Sequence, residues 1–147
     1  MEIPVLGDIH GKWHRANAII SHELVNGGVA LSVGDLSNYH FEAPRNQRLV
    51  FVHGNHEAFG HIEELRKTRD QLYPLFAGEV YTLPDGTRIA GLPGVYSPYF
   101  FDREEGPLKY FSQRYVDKML DLKGIDVLLI HEAPANVGFV KQGKGLG

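Results

Sequence analysis

Ile3-Pro4-Val5-Leu6-Gly7-Asp8-Ile9-His10-Gly11 opens on a short apolar run and closes on an aspartate, a histidine and two glycines. An apolar run that breaks off at ligand-type side chains reads as a strand with chemistry at its carboxyl end, because open α/β sheets bind ligands in the crevice beyond those ends. Working outward, the same event recurs three times. Residues 29–33 run into Gly34-Asp35, residues 49–52 into His53-Gly54-Asn55-His56, and residues 126–130 into His131. Asp8, His10, Asp35, Asn55, His56 and His131, distant along the chain, are therefore expected to meet at one rim.

The intervening segments fit that plan. Residues 13–26 carry Ala16, Ile19, Ile20 and Leu24 on one helical face and stop at Asn26-Gly27-Gly28. The charged stretch from residue 56 to about 76 has helical spacing, and residues 80–83 and 87–92 flank Pro84-Asp85-Gly86, whose Asp-Gly pair predicts a hairpin. Residues 93–107 hold aromatics, prolines and acids without a period and read as a long surface loop. Residues 108–122 read as a helix and 126–130 as a buried strand. Strands alternating with helices, plus one hairpin, imply an α/β fold with a mixed sheet.

A length of 147 residues suits one domain, expected over residues 1–134 with a flexible tail at 135–147. No apolar stretch approaches the roughly 18 residues of a membrane span. There is no cysteine and no signal-like start, so the cytoplasm is the expected compartment, and thiolate metal sites are excluded. The net charge of −3 argues against broad tracking of nucleic-acid phosphates, although a local basic patch survives such an average.

Carboxylate, imidazole and amide donors together suit a borderline divalent ion such as Mn²⁺, Fe²⁺ or Zn²⁺. Glycines at 7, 11, 34 and 54 give the backbone freedom beside those donors. In residue type and order, Gly7-Asp8-Ile9-His10-Gly11, Gly34-Asp35, Gly54-Asn55-His56-Glu57 and the strand-terminal His131 resemble the first four motifs of calcineurin-like metallophosphoesterases. The resemblance implies an αββα sandwich of two mixed sheets flanked by helices. It also implies two divalent metal ions, Mn²⁺ first, in a phosphoesterase. By that resemblance Asp8 and His10 hold one ion, Asp35 bridges both, Asn55 and His131 hold the second, and a metal-bridging hydroxide is the nucleophile. By the same resemblance His56 is no ligand and protonates the leaving oxygen or stabilises charge on the phosphate, and imidazole chemistry adds Glu57 as a supporting partner.

The same resemblance marks departures. The family's final Gly-His-X-His motif has no counterpart, since no histidine follows His131, and this reads as a chain lacking its C-terminal strands. The Asp-Arg-Gly of protein serine/threonine phosphatases would fall at Asn38-Tyr39-His40. Residues 54–58, His61, Glu64-Leu65 and residues 88–95 are similar to the RNA lariat debranching branch, which usually has a cysteine in place of Asp8. That similarity implies a phosphodiester substrate, with a nucleotide or nucleic acid among the candidates.

A non-catalytic binding module that kept the fold is the rival reading, and segment exchange between two copies is a third. His56 could instead cap a helix starting there, and His14, His22, His40, His53 and His61 read as surface or structural imidazoles. Residues 138–144 spell Gly-x-x-x-x-Gly-Lys, but Gly145 stands where a P-loop needs Ser or Thr, so they read as tail. The aromatic cluster Tyr96, Tyr99, Phe100, Phe101, Tyr110 and Phe111 reads as packing before base stacking.

Overall fold

The computed structural model describes residues 2–133, so the expected tail and the motif at 138–144 lie outside the described residues. Four strands, β1 (Val5–Leu6), β2 (Val29–Ser32), β3 (Arg48–Phe51) and β4 (Leu72–Pro74), form a sheet in that order, parallel throughout. Three more, β5 (Tyr81–Thr82), β6 (Arg88–Leu92) and β7 (Val127–Ile130), form a second sheet. In that sheet β5 and β6 are the expected antiparallel hairpin and β6 and β7 are parallel, so the mixed character is confined to it.

Side-chain alternation along β3 explains the layering. Leu49 and Phe51 join a cluster with Trp13, Ala16 and Ile20 of α1 (Trp13–Glu23) and Ile62 of α2 (Phe59–Thr68). Val50 and the following Val52 point the other way, into a cluster with Ile89 and Leu129 of the second sheet. A strand buried on both faces must be apolar at consecutive positions, as Leu49 to Val52 is. α3 (Gln113–Leu120) packs on β6 from the outside and completes an αββα sandwich.

The structure corrects three boundaries and the burial of one strand. α1 ends at Glu23, short of Asn26. The helical reading of 56–76 covers only α2, after which the chain turns at Arg69 and enters β4. Pro74 is tolerated there because β4 lies at the sheet edge. α3 starts at Gln113 rather than 108, where the Ser112 hydroxyl accepts from the Tyr115 amide and caps the first turn. β7 is buried on one face only, with Leu128 46% exposed. No helix among the described residues is long and apolar enough to cross a membrane.

Candidate metal centre

Because β1, β2 and β3 are adjacent and parallel, their carboxyl ends open on one side of the sheet. Asp8 and His10 leave β1, Asp35 leaves β2, Asn55 and His56 leave β3, and His131 follows β7 directly. The loops are laced together. The Asp8 amide donates to the Gly34 carbonyl at 3.1 Å and the His10 amide to the Asp35 carbonyl at 2.9 Å. The His56 amide donates to Asp35 Oδ1 at 2.9 Å.

Asp8, His10 and Asp35 sit at φ of 50°, 47° and 56°, in the left-handed region. Among the described residues the only other non-glycine there is Arg69, at the end of α2. Left-handed backbone costs an L-residue roughly 1–2 kcal/mol, and such strain gathers where geometry serves function. Here it sets three ligand-type side chains facing one another.

Asp35 is the hub, and its two oxygens face different neighbours. Oδ2 lies 3.7 Å from His10 Nε2, itself 3.8 Å from Asp8 Oδ1. These three residues bring one ligand atom each within 4.8 Å of one another. Oδ1 lies 3.5 Å from His131 Nε2, itself 3.1 Å from Asn55 Oδ1. Asp35 is buried and His131 and Asn55 half-buried, while Asp8, His10 and His56 are exposed.

The donor chemistry of this set fits a cation. His131 Nδ1 is 2.7 Å from the Val33 carbonyl, which can only accept, so Nδ1 carries the hydrogen. In the neutral ring Nε2 then presents a lone pair towards Asn55 Oδ1 and Asp35 Oδ1. Two oxygens turned on that lone pair make a spot suited to a cation. Separations of 3.5 to 3.8 Å around Asp35 are too long for hydrogen bonds. They suit atoms that each approach a shared ion to about 2.0–2.2 Å.

Glycine and glutamate hold the cradle open. A Cβ on Gly54 would lie 2.2 Å from Asp35 Oδ1 and 2.7 Å from His131 Cε1, so its role is room, not a positive φ. Gly34 needs both: φ is +105°, and a Cβ there would meet the Gly54 nitrogen at 2.5 Å. Glu57, expected beside the His56 imidazole, instead ties the loops after β2 and β3. Its Oε1 accepts from the Leu36 and Ser37 amides, and its Oε2 from the Gly54 amide at 3.3 Å. Burial pushes its carboxyl up to about 7, against the pull of those amides. The clue in the sequence was its acidic side chain three residues after Gly54; the amides it serves are set by strand pairing.

His56 does not cap a helix, since α2 begins at Phe59 with Ala58 at its N-cap. Its ring centroid is 5.9 Å from that of His10, at the open side of the cluster. His53 is buried and structural: Nε2 contacts the Leu108 carbonyl at 2.7 Å, and burial pushes its imidazole down to about 4. His14, His22, His40 and His61 are exposed, His22 beside Glu23 and His40 beside Glu42. His40 and His61 share a hollow with Phe41 that none of the ligand-type residues lines. Tyr96, Phe101 and Phe111 pack on one another, and Tyr99 and Tyr110 each pack on Phe100.

This arrangement has a family. The family model for calcineurin-like phosphoesterases matches residues 1–141. The chain belongs to that family. A search of curated proteins gave no match. As a calcineurin-like phosphoesterase the chain falls in a class of metal-dependent hydrolases of phosphate esters, and Asp8, His10 and Asp35 are where its described residues offer such a metal a seat.

Proposed function

We propose that this chain hydrolyses phosphodiesters at a pair of divalent ions. The observation that carries the reading is the buried Asp35 carboxylate, whose Oδ2 faces His10 and whose Oδ1 faces His131. Asp8 and His10 would hold one ion, Asn55 and His131 would hold the other, and Asp35 would offer a carboxylate oxygen to each. Mn²⁺ is the ion put forward first, with Fe²⁺ and Zn²⁺ sharing the same donor preference. When bound, such ions withdraw charge from the phosphoryl oxygens and make water nucleophilic near neutral pH.

The protein's own groups do the rest. The Val33 carbonyl fixes the His131 tautomer, leaving Nε2 available as a donor. Glu57 clamps the loops that carry Asp35 and Asn55 in register. The His56 amide is engaged with Asp35, so its imidazole stands at the rim as a general acid for the departing alkoxide. The preference for a diester rests on the likeness of residues 54–58 and 88–95 to the debranching branch and on Asn38-Tyr39-His40 at the place of a phosphatase Asp-Arg-Gly.

The test is turnover of bis(4-nitrophenyl) phosphate against 4-nitrophenyl phosphate with added Mn²⁺, alongside elemental analysis. The expected result is faster diester hydrolysis with about two ions per chain. Asp35→Asn should lose both metal and at least about 100-fold in rate. Neither metal nor turnover ends the reading, and bound metal without turnover on any ester leaves a binding module.

A further inference from the structure

The rim that carries the ligand set continues past β3 to β4, where it opens into a second cavity of about 220 Å³. His53 after β3, Phe76 after β4 and Pro93 after β6 form its floor, so it lies at the carboxyl ends of strands, as the ligand set does. Ligand pockets that enclose a whole small molecule run to about 300–1,000 Å³. This cavity takes a chemical group, not a complete ligand.

Its charge is what gives it meaning. Arg66 of α2 and Arg114 and Lys118 of α3 line it. Among the described residues none of the three has a carboxylate within 4.0 Å. Arg114 and Lys118 stand one helical turn apart, on the same face of α3. The Arg66 guanidinium lies 4.2 Å from the Phe76 ring centroid, which holds it against the wall. Glu104 and Glu105 also line the cavity, so three cations stand against two carboxylates in a chain whose net charge is −3.

We infer that this cavity is an anion subsite, taking the phosphate next to the one being hydrolysed. The inference rests on the phosphodiesterase reading above and narrows its substrate to one with consecutive phosphates, a short oligonucleotide or phosphorylated dinucleotide. The cavity adjoins the ligand set along the chain, because His53 on its floor and Asn55 in the ligand set are two residues apart, with their Cα atoms at most about 7 Å from each other. The guanidinium and ammonium groups bind the flanking phosphate through charge-assisted hydrogen bonds, and Glu104 and Glu105 oppose it.

Two measurements test the subsite, and they fail separately from the parent reading. In the first, kcat/KM for a 5′-phosphorylated dinucleotide is divided by that for bis(4-nitrophenyl) phosphate. The Arg114→Gln, Lys118→Gln double variant should lower this ratio at least tenfold, and Glu104→Gln with Glu105→Gln should raise it. A ratio unmoved by both overturns the subsite while leaving diester hydrolysis intact.

In the second, pyrophosphate is titrated into metal-free protein and the backbone amides of α3 are followed by NMR. Saturable shifts around residues 114–118 are expected, weakened at least fivefold by the double Gln variant and strengthened by removing the two glutamates. No shifts, or shifts indifferent to both variants, overturn the subsite. Shifts as expected without turnover of any diester would leave the anion site standing and remove the phosphodiesterase.

Discussion

The two sheets of this molecule are not equally well covered. The first is enclosed on both faces, by α1 and α2 on one side and the second sheet on the other, and Leu49, Val50, Phe51 and Val52 are all at 0% exposure. The second has only its inner face sealed. α3 buries none of its residues fully, and Leu128, Ile130, Val116 and Met119 border an apolar hollow of about 580 Å³ on the outside. Five of the six ligand-type residues, Asp8, His10, Asp35, Asn55 and His56, ride on the well-covered sheet, and one, His131, on the other. Precision at the centre is thus supplied by the first sheet, and the second delivers one imidazole that is steadied by its bond to Val33 on the first.

Substitutions can break or sharpen that contrast. Phe51→Ala, in the doubly covered layer, should have the largest effect, a loss of about 3–5 kcal/mol in chemical denaturation. A loss below about 1 kcal/mol would dissolve the distinction between the sheets. Gly54→Ala comes next, because its Cβ collides with Asp35 Oδ1 and the His131 ring where the sheets meet. Displacing reacting groups by about 1 Å can cost on the order of 100-fold, so metal affinity and any esterase rate should fall together by about that factor. Ser112→Ala removes the cap of α3 and should cost about 1 kcal/mol in thermal melts. Leu128→Thr, on the open face, should stay within about 0.5 kcal/mol of the parent. A larger loss there would mean that something covers this face in solution.

The legible parts of the sequence were those where one local pattern implies one local structure. Apolar runs ending in Asp8, Asp35, Asn55 and His131 marked strands and their exits, and Pro84-Asp85-Gly86 marked the hairpin. β4 was hidden because three residues ending in proline carry almost no strand pattern, and only the edge position makes that proline acceptable. β7 looked buried because Val127 to Ile130 is apolar throughout, and a run of four cannot say that Leu128 faces outward. The candidate site was legible as a set of residue types, not as a mechanism of support. Glu57 serves amides on two loops that only strand pairing brings together, and the left-handed backbone at Asp8, His10 and Asp35 has no signature in side-chain chemistry.

That left-handed trio bears on how the sequence can drift. Glycine at position 10 would relieve roughly 1–2 kcal/mol of backbone strain and give back roughly 0.5–1 kcal/mol through the looser unfolded chain. His10→Gly should therefore melt slightly higher than the parent while losing a donor from the cluster. A lineage with no use for the cluster has an easy downhill step at the exposed positions 8 and 10, and this sequence has taken neither.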